Sequence, residues 1–167
     1  MPVALVGDTR RDSLNMELIL WRHCDAEPGV PDDARRLTAR GIAQAARVAQ
    51  WLNAHLPDTS RILVSPAARA QQTAQALERK FATSREIGTG GSVAALLAAA
   101  NWPESREPVL IVGHQPTLGR VASFLLAGEE TDRAMRKGAV WWLSNRPREE
   151  GTAVVLKVAI GPDFIEP

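Results

Sequence analysis

The chain has 167 residues, 45% hydrophobic and 23% charged, the composition of one globular domain with room for a sheet and flanking helices. A formal net charge of +1 and the lack of any Lys/Arg block argue against nucleic acid as a partner. Cys24 is the only cysteine, which excludes an intrachain disulfide and a paired-cysteine metal site and favours a reducing compartment.

Met1 to Gly7 is too short and lacks the basic start of a signal peptide, and Asp8 to Asn15 is polar and aperiodic. Residues 1–15 are expected to be a flexible extension, with Met16 a second candidate start and residues 16–167 a single domain. No apolar run approaches the ~20 residues of a membrane span, so no membrane partner is expected and cytoplasm is the expected location. Glu17-Leu18-Ile19-Leu20-Trp21 reads as a strand that delivers Arg22 and His23 at its C-terminal end. Ala26 to Arg36 is a loop, in which Glu27, Asp32 and Asp33 read as solvated acids rather than metal ligands. Thr38 is a plausible N-cap for a helix with Ile42, Ala45, Ala46, Ala49 and Leu52 at helical spacing.

Ile62-Leu63-Val64 has the all-apolar character of a strand buried on both faces. Ser65-Pro66 reads as the N-cap and first residue of a helix through Arg69, Thr73 and Leu77 to about Phe81. Gly88 to Gly91 is a break, and Ser92 begins an Ala/Leu-rich helix to about Ala100. Pro108 to Gly113 is the clearest buried strand and ends at His114; Pro116 starts a further helix through Leu125. Ala139–Ser144 and Thr152–Ile160 read as late strands around a charged turn, with Trp141 and Trp142 on opposite faces. Strands alternating with helices predict a three-layer α/β/α sandwich with a mostly parallel sheet.

Arg22-His23, Ser65 with Arg69 one helical turn on, and His114 each follow a buried strand. Sites in open α/β sheets gather at the carboxyl ends of strands, so these groups are expected to share one crevice. A neutral imidazole is a competent nucleophile towards phosphorus. Two guanidiniums match phosphate oxygens with planar donor forks and stay charged, and a second imidazole can bind the oxygens as charge builds. A cysteine-phosphatase reading fails, because Val30 occupies the position where Cys-x₅-Arg needs arginine. Gly88-Thr89-Gly90-Gly91 fails as a nucleotide loop, since Val93 stands at the third glycine position of Gly-x-Gly-x-x-Gly. His55, near a helix C-terminus, reads as a dipole contact.

Four ordered pieces carry a family resemblance: Leu20-Trp21-Arg22-His23-Cys24-Asp25-Ala26, Arg36-Leu37-Thr38-Ala39-Arg40-Gly41, Val64 to Ala74, and Val112-Gly113-His114-Gln115-Pro116-Thr117-Leu118. Together they resemble the histidine phosphatase superfamily, with its phosphoglycerate mutase-like fold, and within it the SixA-type phosphohistidine phosphatases. The resemblance implies a metal-independent and cofactor-free phosphatase with His23 as phosphate acceptor. Arg22, Arg69 and His114 would complete the phosphate pocket, with Ser65 and Cys24 beside it. The family glycine after the histidine is replaced by Cys24, whose side chain is expected to narrow the pocket or alter the turn. Larger relatives carry a glutamate acid on an insertion for which this chain has only Arg85 to Ser92. Asp25 is then the nearest candidate general acid.

A phosphate ester needs its alkoxide protonated on leaving, whereas a phosphoramidate releases an imidazole, so a site without a dedicated acid suits phosphohistidine. The expected partner is a phosphorylated protein of a phosphorelay or carrier type, or else a small phosphorylated metabolite. The rival readings are a small-molecule phosphomonoesterase of the same superfamily and a non-catalytic phosphate-binding module.

Overall fold

The computed structural model describes residues 15–149 and 151–167, so the expected extension lies, apart from Asn15, outside the described residues. Alternation along its buried strands builds the layers. β1 (Glu17–Arg22) sends Leu18 and Leu20 to one face and Ile19 and Trp21 to the other. β2 (Arg61–Val64) and β4 (Val109–Gly113) divide in the same way, with Ile62, Val64, Leu110 and Val112 on one side and Leu63, Val109 and Ile111 on the other. The Ile19 face is covered by α1 (Ala39–His55) and α2 (Ala68–Gln75), and the Leu18 face by α3 (Val93–Ala99) and α4 (Thr117–Ala127).

With β3 (Ala82–Thr83), β5 (Val140–Pro147) and β6 (Thr152–Ile160), the sheet runs β3-β2-β4-β1-β5-β6. The first four are mutually parallel, and β5 and β6 are added as an antiparallel hairpin. The expected three-layer α/β fold with a mostly parallel sheet is therefore present. Trp142 is buried on the α1 face, where its indole N–H donates to Glu17 at 2.6 Å, and Trp141 packs against the other cluster.

Three local expectations change. The Ser65 helix begins at Ala68 with Ala67 as its N-cap and ends at Gln75, well short of Phe81. Glu78 takes a left-handed conformation (φ 54°) and the chain turns to lay β3 against the free edge of β2. Sheet pairing thus overrides helical spacing. The apolar stripe of α1 is rotated: Gly41, Ala45, Val48, Ala49 and Leu52 face inward while Ile42 is exposed. The glycine decides this, because Gly41 lies directly against the Asp25 backbone, where a Cβ would overlap the Asp25 carbonyl. Thr38 secures the same junction. Its hydroxyl accepts the Gly41 N–H at 2.9 Å and donates to the Asp25 carboxylate at 2.7 Å, and its backbone N–H donates to the Asp25 carbonyl at 3.0 Å.

Register places the site. Arg22 pairs with Gly113 and Val64 with Val112, so His23, Ser65 and His114 emerge side by side. The ladder continues past the strand ends, with His23 N–H donating to Gly113 O and Ser65 N–H to Val112 O, both at 3.0 Å. Gly41→Ala is expected to lower stability by about 1–3 kcal/mol through overpacking at the Asp25 junction, measured as a reduced denaturant midpoint at unchanged m-value.

Candidate active site

His23, Arg69 and His114 are all buried around one point at the C-terminal edge of the sheet. The His23 and His114 rings lie 5.2 Å apart between centroids, tilted by 52°. Nδ1 of His23 sits 2.8 Å from the Cys24 carbonyl, which can only accept, so Nδ1 carries the proton. Nε2 receives the Arg69 Nε–H at 3.3 Å, so its lone pair points at the guanidinium. This is the tautomer in which Nε2 can attack an electrophile held by Arg69. Burial, reinforced by His114, Arg69 and Arg22, pushes the His23 ring down to about 3, leaving it neutral at neutral pH.

His114 is held through Nε2, 2.6 Å from the Ser65 hydroxyl, and its Nδ1 is buried with no partner. Burial and then the charge of Arg69 push His114 down to about 4. Arg22 donates from one terminal nitrogen to the Met135 carbonyl at 2.8 Å, and its Nε is buried without a partner. Arg22 Nε, and His114 Nδ1 in the tautomer whose Nε2 accepts the Ser65 hydroxyl, are buried donors left over for a tetrahedral oxyanion.

The four residues expected to share a crevice do so, and Ser65 joins them as the support of His114. The expectations for Cys24 and Asp25 need correction. The Cys24 side chain is fully buried within the apolar cluster of the α1 face, close to Gly138, so it neither narrows the pocket nor lines it. Desolvation pushes its thiol up to about 12, which also excludes it as a nucleophile. What residue 24 supplies is backbone: its carbonyl orients His23, and its N–H donates to the Thr73 hydroxyl at 3.0 Å. Its φ is not left-handed, so glycine is not required there. Asp25 is bound by the Thr38 hydroxyl and by Lys137 at 3.0 Å, and these hold its carboxyl below the ordinary range. A carboxylate kept ionised in this way is a poor proton donor.

Two contributors were not legible as site residues. Thr73 bridges the Cys24 N–H to the Arg69 carbonyl, to which it donates at 2.7 Å; its signal was the one-turn spacing from Arg69. Asp32 holds both terminal nitrogens of Arg69, with its backbone carbonyl at 2.8 Å and its carboxylate at 2.9 Å. Nothing local in a loop acid announces a partner 37 residues away. Among the described residues no group of three or more His, Cys, Asp or Glu is arranged to hold a metal ion.

Because the thiol packs in the core, Cys24→Gly is expected to cost about 1–2 kcal/mol of stability with little change in kcat/KM, read by thermal unfolding beside a rate assay. The histidines also set an acid sensitivity. Both are depressed from 6.5, so between pH 6.5 and about 3–4 the unfolded chain binds protons that the folded chain does not. Stability is expected to be fully present above pH 7 and to fall as pH drops through that window. His114→Gln should flatten the fall in urea midpoints.

Comparison with known proteins identifies the family. The family model for the histidine phosphatase superfamily (branch 1) matches residues 18–89. Phosphohistidine phosphatase SixA of Escherichia coli strain K12 is 32% identical over 124 residues, covering 68% of this chain and 76% of the relative. A solved SixA protein histidine phosphatase complexed with tungstate superposes with a TM-score of 0.70 at 27% identity, covering 89% of this chain and 98% of that one. The SixA homolog of Haemophilus influenzae is 36% identical over 127 residues, covering 66% of this chain and 77% of its own. The chain belongs to the histidine phosphatase superfamily and is a phosphatase.

Proposed function

We propose that the protein hydrolyses phosphohistidine on a partner protein through a covalent phosphohistidine on His23. The observation that carries this reading is the fixed tautomer of His23, a neutral ring whose Nε2 lone pair faces Arg69. In the first step Nε2 attacks phosphorus and the P–N bond of the substrate breaks, the departing imidazole leaving with a proton on its ring nitrogen. His23 keeps its own Nδ1 proton, and the Cys24 carbonyl steadies the positive charge that develops on the ring. Arg22, Arg69 and the unpartnered Nδ1 of His114 hold the three oxygens. In the second step water attacks phosphorus, the bond to Nε2 breaks, and inorganic phosphate departs.

The substrate class follows from the leaving group. Asp32, which is bonded to Arg69, and Asp25, two residues after His23, are both engaged by cations and held low, so neither suits protonation of an alkoxide. A protonated imidazole needs no such help. The two SixA relatives carry the name of phosphohistidine phosphatases, which points the same way. The partner would be a phosphorelay or carrier protein, met in the cytoplasm.

On this reading, kcat/KM for a phosphohistidine protein exceeds that for phosphotyrosine peptide, sugar phosphates and aryl phosphate in one side-by-side panel. A labile phosphodonor should leave transient acid-labile phosphate on the wild type and none on His23→Ala. Higher kcat/KM on phosphomonoesters would reassign the substrate to small metabolites. Persistent turnover in His23→Ala would overturn the mechanism, and binding without any turnover in the wild type would make the chain a phosphate-binding module.

A further inference from the structure

Arg69 is nearly buried, with 5% of its side chain exposed, yet its ion-pair partner Asp32 stands on an exposed loop at 56%. The contact is two-pointed: NH1 donates to the Asp32 backbone carbonyl at 2.8 Å and NH2 to its carboxylate at 2.9 Å. With both terminal nitrogens gripped, the guanidinium plane is fixed, and its Nε–H is left aimed at His23 Nε2 at 3.3 Å. Asp32 is itself held. Arg35 donates to its other carboxylate oxygen at 3.0 Å while Arg35 Nε–H donates to the Glu27 carbonyl at 2.7 Å. The short 3₁₀ turn Asp32–Ala34 supplies the backbone carbonyl in the same stroke.

We propose that Asp32 is a positioning residue, which orients Arg69 so that its Nε–H edge meets the phosphoryl group at the point of attack by His23. The assignment rests on the phosphatase reading of His23 and Arg69. An isolated surface ion pair would be worth little. Here its value lies in orientation, because a buried guanidinium rotated by a fraction of an ångström at Nε loses its alignment with the developing charge. A competing role is also distinguishable. If Asp32 merely occupied the anion site of the resting enzyme, its removal would open the pocket and tighten phosphate binding.

The experiment is a double-mutant cycle on the full chain, read with steady-state kinetics and with inorganic phosphate as a competitive inhibitor. Asp32→Ala and the near-isosteric Asp32→Asn should lower kcat/KM by about 10–100-fold, with Asp32→Glu recovering part of the loss. Their Ki for inorganic phosphate should stay equal or rise. In an Arg69→Lys background, where an ammonium cannot be gripped at two nitrogens, Asp32→Asn should cost less than about twofold. Equal losses in both backgrounds would show that Asp32 acts elsewhere in the fold and would overturn the proposal. Tighter phosphate binding with kcat unchanged would overturn it in favour of competition. Turnover surviving in His23→Ala would instead condemn the mechanism, leaving the phosphate-affinity arm of the cycle to report on Asp32 and Arg69 independently.

Discussion

The hydrogen bond between His23 Nδ1–H and the Cys24 carbonyl is the constraint on which the site depends. An imidazole free to exchange tautomers would present a protonated nitrogen to phosphorus for part of the time. A main-chain acceptor one residue away removes that freedom, and it does so with an atom that no substitution at position 24 deletes. The side chain at that position is thereby released to serve the core. The Cys24 thiol therefore packs in the core while its own backbone makes the polar contacts beside the site.

The second organising fact is an excess of positive charge in a confined space. Arg22, Arg69 and two imidazoles meet at the edge of three parallel strands, and the electrostatic result is that both rings are neutral. Desolvation and mutual repulsion act in the same direction here. A dianion bound among them would reverse part of that depression, and on the proposed mechanism the same environment would stabilise a charged phosphohistidine on His23. Asp32 adds the opposite charge from an exposed loop, at the terminal nitrogens of Arg69, while Nε of the same guanidinium meets His23 Nε2.

Strand ends were legible because apolar runs that terminate in Arg22-His23, Ser65 and His114 have few physical explanations other than a polar edge on a buried sheet. The layers were legible for the same reason. Expectations failed where one residue answers to two neighbours. Ser65 accepts the Ala67 N–H at the helix entry, as its local context predicts, but the same hydroxyl also bonds His114, 49 residues away. Ile42 fitted the helical period, but Gly41 had to face Asp25, and a helix cannot present both. Thr73 was visible only as part of a motif, and Asp32 looked like any loop acid, because the partner that defines each lies across the fold. Helix α2 stops early for a similar reason, the edge of β2 being open to a strand that only the assembled sheet reveals.

The sheet order has a consequence for how the protein comes into being. β1 and β2 are synthesised before β4, yet neither borders the other; β4 lies between them and pairs with both. A growing chain that has emerged only as far as α3 already owns His23, Asp32 and Arg69 but lacks the strand that pairs with both β1 and β2. The central strand brings the second imidazole with it, since His114 directly follows β4. Insertion of that strand therefore joins β1 to β2 and delivers the second imidazole in a single event, while the core residues Val140, Trp142 and Leu143 of β5 are still to follow.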